Sequence, residues 1–190
     1  MASEVITPPG ILSFPHLFTP RAAVQGAEPR YSASLIFDDT GQKHANYAKL
    51  KHAVLEAIEE EWGAAKAKDS AFIKSLRLPF RDAGEKDYAG YGAGKIFINP
   101  WNKSKPGIVD RNGADIMVPA DVFAGQIARF AVRPYAYQQS GNKGVSLSLV
   151  HVQIIKADMP RLDGRKSAQA TFAGEDLPPD LGGLDDEVPF

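Results

Sequence analysis

The stretch that decides the fold runs from Gln126 to Ile154: Gln126-Ile127-Ala128-Arg129-Phe130-Ala131-Val132-Arg133-Pro134-Tyr135-Ala136-Tyr137, the loop Gln138 to Gly144, then Val145-Ser146-Leu147-Ser148-Leu149-Val150-His151-Val152-Gln153-Ile154. In the first half Ala128, Phe130, Val132 and Ala136 share one face, and Arg129, Arg133, Tyr135 and Tyr137 share the other with Ile127 and Ala131. A period of two is a half-buried strand. The loop predicts a hairpin with Lys143 at its tip. In the return strand the apolar set Val145, Leu147, Leu149 switches to Val150, Val152, Ile154. A one-residue slip inside one strand marks a β-bulge, which small barrels use to curl. Pro134 is a second place where a bulge would shift the parity. No acid occurs from Val122 to Ala157, while Arg129, Arg133, Lys143 and Lys156 do.

Working outward, Lys95 to Asn99 predicts a short strand with Ile96 and Ile98 inward and Lys95, Phe97 and Asn99 on the opposite face. Trp101, Lys103 and Lys105 come directly after it. Upstream, Tyr88-Ala89-Gly90-Tyr91-Gly92-Ala93-Gly94 reads as a flexible loop, and Leu78 to Asp82 as a turn-rich segment. Leu50, Val54, Ile58 and Trp62 recur every four residues, with Tyr47 and Ala57 alongside, so a helix is predicted from about Gln42 to about Lys68, broken or kinked at Gly63. Arg30 to Phe37 alternates as a strand, with Ile36 the exception. Gly10 to Phe14 reads as a first strand, and Pro15 and Pro20 confine the residues around them to an edge or a loop. The expected fold is mainly β: a small OB-like barrel with one long α-helix inserted, and after it a disordered acidic C-terminal tail. The helix falls after the second strand, where OB barrels usually carry it between the third and fourth. The expected division is a domain over 1–157, a linker over 158–174 and a tail over 175–190.

The 190 residues suffice for one domain with a core. With no cysteine there is neither disulfide nor thiolate metal site, and a reducing cytoplasm fits. The first twenty residues lack the charge and apolar run of a signal peptide, and no stretch approaches the roughly 20 apolar residues of a membrane span. The net charge of −1 hides an asymmetry. Six acids and no Lys or Arg lie between Glu175 and Phe190, leaving 22 basic against 17 acidic residues in the first 174, a formal +5. A basic body with an acidic tail suggests a polyanion partner and a tail that competes for the same surface.

The chain closes on Asp185-Asp186-Glu187-Val188-Pro189-Phe190. Acids that steer an approach, then a terminal aromatic and its carboxylate, suit a peptide that docks into a partner. This tip resembles the acidic tail of bacterial single-stranded DNA-binding proteins, which ends Asp-Asp-Asp-Ile-Pro-Phe. The body, from about Ile11 to Ile155, resembles a family of bacteriophage single-stranded DNA-binding proteins. The likeness lies in Pro15-His16-Leu17-Phe18, Tyr31-Ser32-Ala33-Ser34-Leu35, Leu78-Pro79-Phe80-Arg81-Asp82, Lys105-Pro106-Gly107-Ile108-Val109-Asp110 and Gly141-Asn142-Lys143-Gly144-Val145, taken in that order. The resemblance implies an OB-type fold, sequence-tolerant binding of single-stranded DNA, a role in phage replication or recombination, and a place in the cytoplasm of the infected host. The tip implies partners among replication, recombination and repair proteins.

No binding residues come over with the resemblance; the expected site rests on pattern. Single strands are held by cations along the phosphates and aromatic faces under the bases. Candidates on strands are Arg30, Lys95, Phe97, Arg129, Arg133, Tyr135 and Tyr137; in loops they are Tyr91, Trp101, Lys103, Lys105 and Lys143. Packing under the helix or the loop is the competing reading of Tyr135, Tyr137 and Phe97, and covering the barrel mouth that of Tyr91. An enzyme is not expected. Gly90 to Lys95 lacks a Walker motif's first Gly at Ala89 and its Ser or Thr at Ile96, and His16, His44, His52 and His151 show no metal-ligand spacing. Neither cofactor nor metal is expected. The remaining alternatives are a non-enzymatic adaptor that recruits replication proteins through its tail, and an RNA-binding protein.

Overall fold

The switch in apolar parity at Leu149–Val150 shapes the barrel wall. In the computed structural model, which describes residues 3–164 and Thr171, β8 (Ile127–Gln139) and β9 (Asn142–Lys156) pair antiparallel along their whole length. Val132 faces Leu149 while Ala131 faces His151, so Val150 is the extra residue of a bulge in β9. Val145, Leu147 and Leu149 are buried before it, and Val152 and Ile154 after it. Pro134 introduces no bulge and keeps the inward parity, opposite Leu147. The hairpin turn is only Ser140 and Gly141, both at positive φ (50° and 80°), which suits the right-handed twist of the strands. Lys143 therefore sits not at the tip but on β9, opposite Gln138.

The remaining wall is β1 (Val5–Ile6), β2 (Gly10–Arg21), β3 (Arg30–Phe37), β4 (Arg81–Asp82), β5 (Ile96–Ile98), β6 (Trp101–Asn102) and β7 (Gly107–Val109). β2 pairs antiparallel with β3, and β3 with β5 and β6. β6 lies parallel to β9, Trp101 opposite Ser148, and β8 returns to β2 at Gly10 and Ile11. The circuit β2–β3–β5/β6–β9–β8–β2 is a closed OB-like barrel. The β2–β8 seam is short: Pro8 and Pro9 offer no N–H, Thr7 exchanges backbone bonds with Phe130 through its own N–H and hydroxyl, and β1 carries the pairing to Val132.

β2 overturns one expectation. It continues as a strand through Pro15 and Pro20, because register shifts after Ser13 and after His16 place both prolines in bulges, where no ladder donor is required. Phe14 at the first bulge takes φ 45°. The helical stretch arrives as α1 (Asp39–Lys43), α2 (Ala45–Trp62), α3 (Ala64–Ala67) and α4 (Ser70–Ser75). His44 caps α2, its Nδ1 accepting from the Asn46 N–H, and Gly63 ends it at φ 83°. These helices come after the second barrel strand, the departure from usual OB order that the sequence implies. Leu50, Val54 and Ile58 of α2 join Leu35, Phe37, Phe130 and Leu147 in the core. Burying each such side chain contributes about 1.5–3 kcal/mol. A second cluster of Ile36, Ala83 and Phe97 lies on the other side of β3.

Residues just after β9 pack on the body. The Leu162 N–H donates to the Ala124 carbonyl, and the Arg161 guanidinium lies 4.4 Å from the centre of the Phe123 ring. Among the described residues no helix is long and apolar enough to cross a membrane. The acidic tip, Asp185, Asp186, Glu187, Val188, Pro189 and Phe190, lies outside the described residues.

Candidate nucleic-acid interface

The bulge at Phe14 turns a large ring outward. Phe14 is 47% exposed, and Tyr88, from the glycine loop, is 55% exposed. Their rings meet edge to face at 5.2 Å. Tyr91 stands behind them, 5.6 Å from Tyr88, and rests in turn on Phe97 at 5.2 Å. The loop is tied down: Lys95 Nζ donates to the Gly90 carbonyl (2.9 Å) and Gln42 Nε2 to the Gly94 carbonyl (2.8 Å). Leu162 closes on Gly90, where an added Cβ would come within 3.1 Å of it.

Across from Phe14 and Tyr88 stands Trp101, and between them lies an open groove of about 530 Å³. Ser32 and Ser34 of β3 line it, with His16, Arg21 and Arg30; among the described residues no carboxylate does. The Arg30 guanidinium lies 3.8 Å from the Trp101 ring centre, a cation stacked on the best aromatic partner. Tyr135 meets the same indole edge-on at 6.3 Å. Burial, and after it the Arg21 charge, hold the His16 imidazole below its ordinary 6.5, so it is neutral at pH 7.

Of the residues chosen from sequence, Arg30 and Trp101 come together at this groove, with Tyr91 behind Tyr88; Tyr135 touches the indole edge-on but lines the neighbouring cavity with Glu60 and Glu61. The rest lie elsewhere. Phe97 keeps its predicted parity but is only 6% exposed, because the loop after β4 folds over that face; it supports Tyr91 and offers no open stacking face. Lys95 is engaged with Gly90. Lys103 pairs with Glu28 at 2.8 Å, and Lys105 lies over the Phe18 ring. Lys143 lies over the Phe72 ring at 4.6 Å. Arg129 Nε donates to Gln153 Oε1, whose amide nitrogen donates to the Asp110 and Arg111 carbonyls, so it braces the β7 end of the barrel. Arg133 faces Glu4 at 3.4 Å and lines a cavity shared with Glu60 and Glu61. Tyr137 lines a smaller pocket beyond Asn99.

Sequence reasoning passed over Phe14, His16, Arg21 and Tyr88. The signals were present: Tyr88 precedes Tyr91 in the same loop, and an aromatic directly before Pro15 in an otherwise regular strand marks a bulge that aims a side chain outward.

A family model described as Enterobacter phage Enc34, ssDNA-binding protein, matches residues 3–181. Putative protein p50 of Acyrthosiphon pisum secondary endosymbiont phage 1 is 31% identical over 150 residues, 76% of this chain and 79% of that one. Among solved structures, the single-stranded DNA-binding protein from bacteriophage Enc34 in complex with ssDNA superposes with a TM-score of 0.65 at 19% identity, covering 82% of this chain and 87% of that one. For gp2.5, a single-stranded DNA binding protein encoded by bacteriophage T7, the TM-score is 0.59 at 15% identity, over 93% and 99% of the two chains. At such identities the structural likeness speaks to the fold.

Proposed function

The chain belongs to the phage single-stranded DNA-binding protein family described for Enterobacter phage Enc34, a family of binding proteins and not of enzymes, and from that premise we propose that it holds single-stranded DNA, without sequence preference, in the groove between Tyr88 and Trp101. The observation that carries this is the pair of outward rings, Phe14 and Tyr88, facing Trp101 across a groove that no carboxylate among the described residues lines, with Arg21 and Arg30 in its wall. Every base has a π-face, so stacking tolerates any sequence and is worth about 1–3 kcal/mol per base. Arg21 and Arg30 neutralise phosphates as the strand passes, and Tyr135 braces Trp101 from the edge. Tyr91 and Phe97 set the height of the Tyr88 ring. Lys105, beyond Trp101, extends the field along which the strand is drawn.

The strand so held is coated and kept from nucleases and from refolding during phage replication and recombination. The acidic end, Glu175 to Phe190, competes with DNA for the basic groove; displaced, its tip recruits replication, recombination or repair proteins by burying Phe190. The support for this is charge: six acids and no base in the last sixteen residues against a body of formal +5.

The experiment is a salt titration of oligo-dT binding, by the full chain and by the chain ending at Gly174. The expected result is a steep fall of affinity with salt for both, with the shorter chain tighter, most at low salt. Absence of binding even at low salt would refute the groove; unchanged or weaker affinity of the truncated chain would refute the competing tail.

A further inference from the structure

The segment Leu78-Pro79-Phe80-Arg81-Asp82 has no part in that groove, yet the fold fixes it firmly. At its start the Arg77 backbone is bonded to β9: its N–H donates to the Lys143 carbonyl at 3.0 Å, and its carbonyl accepts from Val145 N–H at 2.9 Å. Gly144 permits that approach, because a Cβ there would lie 2.2 Å from the Arg77 oxygen. At its end Arg81 pairs with Phe97 of β5. Between them Phe80 anchors the span on Tyr47, ring centres 5.5 Å apart. Two arginines four residues apart are thus held on two different strands, with Pro79 stiffening the span.

They flank a pocket of about 110 Å³ whose remaining polar lining is Asn99, Tyr137 and Ser146. Among the described residues no carboxylate lines it and neither guanidinium has an ion-pair partner. Pockets that enclose a whole drug-sized ligand run to about 300–1,000 Å³, so this one admits a small oxyanion and not a nucleotide. Asn99 also lines the groove beside Trp101, so the two openings share a wall.

Resting on the groove reading, we propose that this pocket is a phosphate subsite: Arg77 and Arg81 receive one phosphate of a strand that continues past Asn99 from the groove. Guanidinium forks match phosphate oxygens two at a time, and the hydroxyls of Tyr137 and Ser146 with the Asn99 amide can supply further donors. The phosphate is either an internal one of the continuing strand or the terminal phosphate of a strand that ends there.

The test compares the full chain with Arg77→Gln/Arg81→Gln and Arg77→Lys/Arg81→Lys, titrated with oligo-dT of increasing length carrying hydroxyl or phosphate at either end and read by tryptophan quenching. Both arginines are exposed, so the fold tolerates the changes. Oligomers that fill only the groove should bind all three proteins alike. Beyond the length that reaches Asn99, the Gln pair should bind about tenfold more weakly, with a salt slope shallower by about 0.7 for one lost phosphate. The Lys pair should recover the slope but not the full affinity. A difference at every length past the threshold assigns an internal phosphate; a difference confined to phosphorylated ends assigns a terminal one. Equal affinities and slopes at every length and end would overturn the subsite while leaving the groove standing, as would equal loss at short and long lengths. Failure of the unaltered chain to bind any oligomer would remove the groove itself, and the subsite with it.

Discussion

Tyr88→Ala tests the groove most sharply, because the ring is 55% exposed and lies on a loop held by other residues' bonds. Its contacts in the free protein are edge-to-face, 5.2 Å to Phe14 and 5.6 Å to Tyr91. Such pairs are worth about 0.5–1.5 kcal/mol each when packed, and less when half in water. The folding cost should therefore stay within about 1 kcal/mol, or about 2–4 °C in Tm for a domain of this size. The binding cost is that of one stacked base, about 1–3 kcal/mol, which is roughly a 5- to 150-fold rise in Kd. No charge is removed, so the slope of log affinity against log salt should not change. The assay is oligo-dT quenching of Trp101 in a Trp62→Phe background, since Trp62 packs against Phe72 away from the groove. A Kd within twofold of the parent at unchanged Tm, or a shallower salt slope with unchanged affinity, would refute stacking on Tyr88.

Three further substitutions probe the same geometry. Phe97→Ala should cost about 3–5 kcal/mol of stability, read by denaturant unfolding; weaker DNA binding at full stability would show instead that its ring faces the strand. Gly144→Ala should break the two backbone bonds between Arg77 and β9, at about 0.5–1.5 kcal/mol each, and an unchanged Tm would contradict the close approach. For His16, a seated phosphate favours the imidazolium, so the bound value rises above the depressed free one, and affinity for oligo-dT should increase as pH falls from about 7.5 to about 5.5. His16→Gln should flatten that increase, and an unaltered pH profile would place the phosphates away from His16. Folding responds in the opposite sense. The unfolded chain takes up the proton first, so the contribution of neutral His16 to stability is present above its ordinary 6.5 and is lost as pH falls through the depressed folded value.

The barrel was legible where one face is wet and one dry. β3 has its expected bounds, the bulge in β9 falls where the apolar parity switches, and α2 buries Leu50, Val54 and Ile58 while Trp62 at its end is partly buried. Parity held but did not give exposure where both faces are covered: Phe97 points away from the barrel core as expected, but Ala83, Tyr91 and Ile36 close over it. Long-range partners were invisible for the same reason. Nothing near Arg133 or Lys103 in the chain announces Glu4 or Glu28. Proline was over-read in β2, where bulges accept it. That error hid Phe14, His16 and Arg21, the wall of the groove, while Arg30 stood out at the start of an alternating strand and Trp101 as an aromatic among lysines, read as a loop residue although it pairs with Ser32 in β6.

The seam between β2 and β8 has a consequence for motion. Opening free energies within a fold are lowest where few bonds close it, and the circuit has two thin seams: β6 meets β9 at the pair Trp101–Ser148, and β2 meets β8 at Gly10 and Ile11, extended by Leu12 with Gly125 and Gln126, by Thr7 with Phe130 and by the two residues of β1. A breathing barrel would part into two leaves along those seams. One leaf is the long β8–β9 hairpin; the other is β2 and β3 with β5 and β6 beside them. Phe14, His16, Arg21, Arg30 and Trp101 all lie on the second leaf, so the page on which a strand would be read keeps its layout while the binding loosens.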